Sequence, residues 1–220
     1  MGELADRSSL RLAELLAVRL CHDLSSPLST LMGALEMVND DPGAAEEALP
    51  LAVEVSAILG TRLRLLRAAW GGPTPAMDGA ELSAMLLGSQ QGRKVRVDAS
   101  ALAPSGMFAP ESARLALNVL MLAAEALPAG GEITLAGNPR REVVVAIAGP
   151  RAAWPAGLAR YVADRTAAWS AIETSEGVEA SRSLQAPLTA LIADAAGIRL
   201  SLLMAPKVEA APPLLMTIPI

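Results

Sequence analysis

The sequence predicts an α+β fold: an N-terminal antiparallel helical hairpin followed by an α/β sandwich. Three observations lead there. Two long stretches repeat their apolar residues every three to four positions and are joined by a short turn. A Gly/Pro-rich break, Gly71-Gly72-Pro73-Thr74-Pro75, follows them. Beyond it, short strand-like runs alternate with helical ones. Composition agrees: of 220 residues 52% are hydrophobic but only 2% aromatic, so the core is built from Ala, Leu, Val and Met.

The first helix is expected over residues 8–38, with Ser8 or Ser9 as its N-cap. Asn39-Asp40-Asp41-Pro42-Gly43 makes the turn. The second helix is expected over 44–70. Glu46 and Glu47 in its first turn and Arg62, Arg64 and Arg67 toward its end suit the helix dipole. After the break come a short helix at 79–87, a strand at 94–98, a helix at 110–127, and strands at 132–136 and 142–148 joined by Gly137-Asn138-Pro139-Arg140. Helices at 155–172 and 180–196 and strands at 198–204 and 214–218 complete a mostly antiparallel sheet. The expected domains are residues 1–72 and 76–220.

The hairpin poses a covering problem. Its first helix is apolar at Leu16, Leu20, Leu24, Leu28, Leu31, Leu35 and Val38. Its second is apolar at Leu51, Val55, Ile58, Leu59, Leu63, Leu66 and Trp70. Two helices do not cover both stripes, whereas a second copy closes a four-helix bundle. A homodimer is therefore expected.

Several function classes are excluded. The net charge of −5 and the lack of a basic patch argue against a nucleic-acid partner. Cys21 and His22 are the sole cysteine and histidine, which rules out an intrachain disulfide and a zinc site. The longest apolar stretch, 119–127, is broken by Glu125, and the N-terminus is polar. No membrane span or signal peptide is expected, and the default location is the cytoplasm.

His22 is the candidate reactive residue. At about 100° per residue it lies roughly 160–170° from the centre of the Leu stripe, on the outer face of the helix. Arg11, Arg19, Ser25, Ser26, Ser29 and Gly33 share that face, with Leu15 and Val18 as apolar exceptions. Neutral imidazole is nucleophilic near pH 7, and its attack on an aspartyl phosphate gives a phosphoramidate that is itself transferable. Asp23 is placed to orient the ring or to hold its proton. Ser26, one turn on, offers a small hydroxyl to a phosphoryl oxygen. Pro27 removes a backbone donor and is expected to bend the helix. Arg11, Leu15, Arg19, Ser25, Ser29 and Met32 form the expected docking face for a partner. Cys21 is read as a small packing residue.

The segment Arg19-Leu20-Cys21-His22-Asp23-Leu24-Ser25-Ser26-Pro27 resembles the phosphoacceptor motif of histidine kinases. With the following Gly33-Ala34-Leu35-Glu36-Met37-Val38, it is similar more narrowly to the ChpT family of alphaproteobacterial histidine phosphotransferases. The resemblance implies a dimeric helical hairpin and a second domain like the kinase ATP-binding domain. It implies phosphoryl relay from the receiver domain of a hybrid histidine kinase to response regulators of the CtrA and CpdR type. His22 then matches the phosphoacceptor, Asp23 its acidic neighbour, and Ser26 the polar residue one turn on.

Against the kinase pattern, the run from Asn118 to Ala126 resembles the Asn-bearing helix, but Leu122 stands where the metal-binding Asn is expected. Leucine offers no oxygen to a hard cation. Gly149-Pro150-Arg151-Ala152-Ala153-Trp154 replaces the Asp-x-Gly-x-Gly box, and no second glycine-rich box follows between Gly177 and Ala186. The expectation is a histidine phosphotransferase that binds no ATP and no resident metal, with Mg²⁺ supplied by the partner receiver. Asn118 is then read as a hydrogen-bonded core residue. A non-catalytic receiver-binding adaptor and an ATP-dependent kinase with a diverged site are the competing readings.

Overall fold

The computed structural model describes residues 2–89, 92–104, 106–176, 179–205, 207 and 210–219. Met1, Ile220 and Gly177, which bound expectations above, lie outside the described residues. The element order is α1 (Gly2–Asp40), α2 (Ala45–Leu66), α3 (Gly79–Leu86), β1 (Val95–Leu102), α4 (Pro110–Glu125), β2 (Gly131–Asn138), β3 (Glu142–Ala148), α5 (Leu158–Ala163), α6 (Arg165–Glu173), α7 (Glu179–Arg182), α8 (Gln185–Ala195), β4 (Arg199–Leu202) and β5 (Leu214–Thr217). The α+β expectation is met. Among the described residues no helix is long and apolar enough to cross a membrane.

α1 and α2 pack against each other as an antiparallel hairpin. Its turn is fixed by Asp41, whose side chain accepts from the Gly43 N–H. α1 begins six residues before the expected N-cap. Ser8 caps nothing; its hydroxyl donates to the Glu173 carboxylate of α6, and this tertiary contact replaces the capping role. α2 runs into a wider π-helical turn over Arg67–Gly71. The break that follows is not slack, since Thr74 is buried and donates to the Ala68 carbonyl at 2.6 Å.

The sheet has the order β1-β2-β3-β5-β4. β1 pairs parallel to β2, and the remaining pairs are antiparallel. Along β2 and β3, Ile133, Leu135, Val143, Val145 and Ile147 alternate onto one buried face, as period-2 patterning requires. α4 and α8 belong to the same core and are apolar almost all round, which suits helices enclosed by other elements. Gly131, at φ +151°, makes the turn into β2; a Cβ there would lie 2.3 Å from the Ala148 carbonyl oxygen.

Two expected helices are each divided. Residues 155–172 split into α5 and α6 because Asp164 adopts an extended conformation and caps α6, accepting from the Thr166 N–H. Residues 180–196 split into α7 and α8. α3 opens with a reciprocal cap between Asp78 and Glu81.

Candidate functional site

Helix geometry places His22 on the side of α1 that faces the second half of the chain, and its side chain remains 47% exposed. Asp23, one residue on, is turned inward, with its side chain 11% exposed. His22 Nδ1 lies 3.2 Å from Asp23 Oδ1. A carboxylate only accepts, so the ring donates from Nδ1, and the lone pair sits on Nε2.

Asp23 is held at both ends. Its side chain accepts at Oδ2 from Arg19 Nε, one turn back, at 3.0 Å. Its backbone carbonyl is a consequence of Pro27. Proline has no N–H, so the carbonyl four residues earlier loses its helical donor. The buried Arg62 of α2 supplies one, donating through Nη1 to the Asp23 carbonyl and through Nε to the Gly88 carbonyl at 3.1 Å. Gly88 can approach because it has no side chain: a Cβ there would stand 2.6 Å from the Thr61 carbonyl oxygen. Arg62 is thus not a solvent-facing charge on the helix dipole, as its sequence position suggested. It ties the His22 turn of α1 to α2 and to the end of α3.

Arg19 continues the chain of contacts. Its Nη2 donates to Glu125 Oε1 at 2.7 Å, and its Nη1 to the Ser181 carbonyl at 3.2 Å. Burial disfavours the Arg19 charge, but the Glu125 and Asp23 carboxylates outweigh it and hold the guanidinium above its ordinary pKa. For Glu125, burial pushes the carboxyl pKa up, and the pull of Arg19 only partly opposes this. A cleft of about 360 Å³ opens beside His22, bordered by Arg19, Asp23, Arg62, Ser89, Met121 and Glu125.

The outer face of α1 is therefore shorter than the wheel implied. Arg11 donates to the Ser175 carbonyl at 2.8 Å, Leu15 is buried in the main core, and Arg19 is engaged as above. These three residues meet the second half of this chain. Ser25, Ser26, Ser29 and Met32 stay exposed. The Ser25 hydroxyl donates to the Cys21 carbonyl at 2.6 Å. Cys21 is exposed and free, so it is not a packing residue. Sequence reasoning missed Arg62 and Glu125 as members of the site. A signal existed for Glu125: one carboxylate inside the otherwise apolar stretch 119–127 calls for a cationic partner.

The segment compared above with a nucleotide site has a different content. Asn118 is fully buried. Its Nδ2 donates to the Ala69 and Arg114 carbonyls, and its Oδ1 accepts from Trp70 Nε1 at 3.1 Å and Gln185 Nε2 at 3.1 Å. The reading of Asn118 as a hydrogen-bonded core residue holds. Leu122, one turn on, is fully buried in an apolar cluster with Leu158 and Ala186.

Comparison with known proteins adds three findings. Residues 79–207 match the family model for the histidine phosphotransferase C-terminal domain. The chain is 27% identical over 131 residues to protein phosphotransferase ChpT of Brucella abortus (strain 2308), which is 58% of this chain and 61% of that relative. It is also similar to a solved structure of a bacterial phosphotransferase, with a TM-score of 0.66 and 22% identity over 94% of this chain and 95% of the other. At that identity the structural likeness speaks to the fold.

Proposed function

We propose that this chain, which belongs to the histidine phosphotransferase family, carries a phosphoryl group on His22 and relays it between receiver-domain aspartates of other proteins. One observation carries the reading: a half-exposed imidazole is held through Nδ1 by an anchored carboxylate, which leaves the lone pair on Nε2.

The chemistry follows from that tautomer. Nε2 attacks the phosphorus of an aspartyl phosphate. An N–P bond forms while the acyl O–P bond breaks, and the leaving electron pair stays on the receiver's carboxylate. Nδ1 keeps its proton, so the phosphorylated ring is cationic and Asp23 stabilises it. The same proton makes the ring a neutral leaving group when the next receiver aspartate attacks. Asp23 is thus a stabiliser rather than a base, and the metal belongs to the receiver. Ser26 and the neighbouring Ser25, Ser29 and Met32 form the remaining open face for docking. The partners implied by the sequence resemblance are a hybrid histidine kinase and response regulators of the CtrA and CpdR type.

ATP has no part in this reading. The residues do not fit a nucleotide with its metal: the Asn118 amide is spent on core hydrogen bonds, and Leu122 is apolar and enclosed. The hairpin's exposed Leu20, Leu28, Leu35 and Leu63 support a homodimer closed as a four-helix bundle, with two His22 sites per particle.

The test is phosphotransfer from a panel of purified phosphorylated receivers. Label is expected on this chain, and His22→Ala should reduce it by several orders of magnitude, as loss of a nucleophile does. Asp23→Asn should cost less than His22→Ala. Label that persists in His22→Ala, or a receiver that binds but never exchanges, would overturn the proposal.

A further inference from the structure

The contacts of Arg19 go beyond holding two parts of the chain together. Arg19 is a hub: Nε on Asp23 at 3.0 Å, Nη2 on Glu125 at 2.7 Å, and Nη1 on the Ser181 carbonyl at 3.2 Å. Asp23 in turn meets His22 Nδ1 at 3.2 Å. An unbroken polar chain therefore runs from Glu125, at the end of α4, to the imidazole on α1. Its length in sequence is more than a hundred residues. In space it is three contacts.

A planar guanidinium suits this task. Its donors point in fixed directions, so placing two of them on Glu125 and Ser181 fixes where the third points, and hence where Asp23 must lie. With its backbone carbonyl held by Arg62, Asp23 has little freedom to swing away. The ring follows: while Oδ1 is at Nδ1, the proton stays there and the lone pair stays on Nε2. An unconstrained histidine side chain in water favours the opposite tautomer, with the proton on Nε2, so the held carboxylate must work against an intrinsic preference.

We propose that Arg19 and Glu125 are positioning residues through which docking of the second domain sets the tautomer of His22. When Glu125 and Ser181 are in place, Arg19 presents Asp23 to the ring; when they are withdrawn, the ring relaxes toward the unreactive tautomer. By linkage, phosphorylation of Nε2, which locks the proton on Nδ1, tightens the same docking. This rests on His22 as the phosphoacceptor only for its consequence, not for its observation.

His22 is the sole histidine, so ¹⁵N-imidazole spectroscopy of the full-length protein at alkaline pH gives a single pair of ring-nitrogen signals. The Nδ1–H form is expected to dominate in the wild type. Glu125→Ala should shift the ring toward Nε2–H and slow transfer from a phosphorylated receiver about tenfold, with the receiver concentration at half-saturation unchanged. Arg19→Lys, which keeps the charge but loses the fork, should do the same. The two together should cost little more than either alone, because both cut one chain. Glu125→Gln, whose amide oxygen still accepts from Arg19, should keep the wild-type tautomer.

An unchanged tautomer in Glu125→Ala, or losses that simply add, would overturn the inference. If the variants show the expected tautomer shift but the wild-type protein never accepts phosphate, the phosphotransfer reading falls and the control of the tautomer by Arg19 and Glu125 stands.

Discussion

The hairpin and the sheet region use the same few apolar residue types in opposite ways. On α4, Leu115, Leu117, Val119, Leu120 and Leu122 are buried to the last atom, and the helix is enclosed by the sheet on one side and other helices on the other. On α1 and α2, Leu20, Leu28, Met32, Leu35, Leu51 and Leu63 face solvent in the single chain. The sheet region encloses its apolar residues; the hairpin leaves part of its own uncovered. The candidate reactive residue sits on the hairpin, and the residues that hold it come partly from the sheet region. The solvent-facing hairpin is thus tied to the enclosed core, through Arg19 and Glu125 on one side and Arg62 with Gly88 on the other.

That contrast can be broken by substitution. Leu122→Asn places an amide in the fully buried cluster with Leu158 and Ala186. A cost of about 3–5 kcal/mol is expected, read as a fall in denaturation midpoint, and no ATP binding should appear by titration calorimetry. In the hairpin, Leu28→Glu with Leu35→Glu should leave the folded chain nearly as stable but raise the dimer dissociation constant about a hundredfold or more, equal to about 2.8 kcal/mol. Sedimentation velocity across a dilution series reads it. Unchanged sedimentation would mean that this face is covered by something other than a second copy.

Smaller effects probe the seam between the halves. Arg62→Met orphans the Asp23 and Gly88 carbonyls and should cost about 1–3 kcal/mol in chemical denaturation. In a Pro27→Ala background, where residue 27 regains an N–H for the Asp23 carbonyl, the loss should be smaller by about 1 kcal/mol. The smallest effect is one of pH. The folded Glu125 carboxyl titrates above its ordinary value because of burial, so between the ordinary and the raised pKa the folded chain binds more protons than the unfolded one. Stability therefore falls as pH rises through that window. Glu125→Gln should remove this slope, and denaturation of both proteins across the window measures it.

Much of the fold was legible from local pattern. The periodic stripes, the turn at Asp41, the break after Gly71 and the alternation of Val143, Val145 and Ile147 each locate an element without knowledge of its neighbours. What local pattern does not contain is what lies across a helix face. A wheel places Arg11, Leu15 and Arg19 outside the hairpin core, which is correct. It offers solvent as their surroundings, and the second half of the chain stands there instead. Arg62 was misplaced for a related reason. A basic residue near a helix end reads as a dipole partner, and only the missing N–H of Pro27, thirty-five positions away in sequence, creates the acceptor that draws it inward. Asp164, which divides α5 from α6, carried a visible capping signal that the apolar run around it obscured.

In the proposed relay, phosphate reaches His22 from another protein's aspartyl phosphate. The most direct test is a paired labelling of the purified chain, once with a phosphorylated receiver and once with γ-labelled ATP and Mg²⁺, followed by mapping of acid-labile phosphate. Label is expected on His22 from the receiver within the mixing time, and none from ATP alone. Label from ATP alone, or receiver-derived label at any residue other than His22, would contradict it.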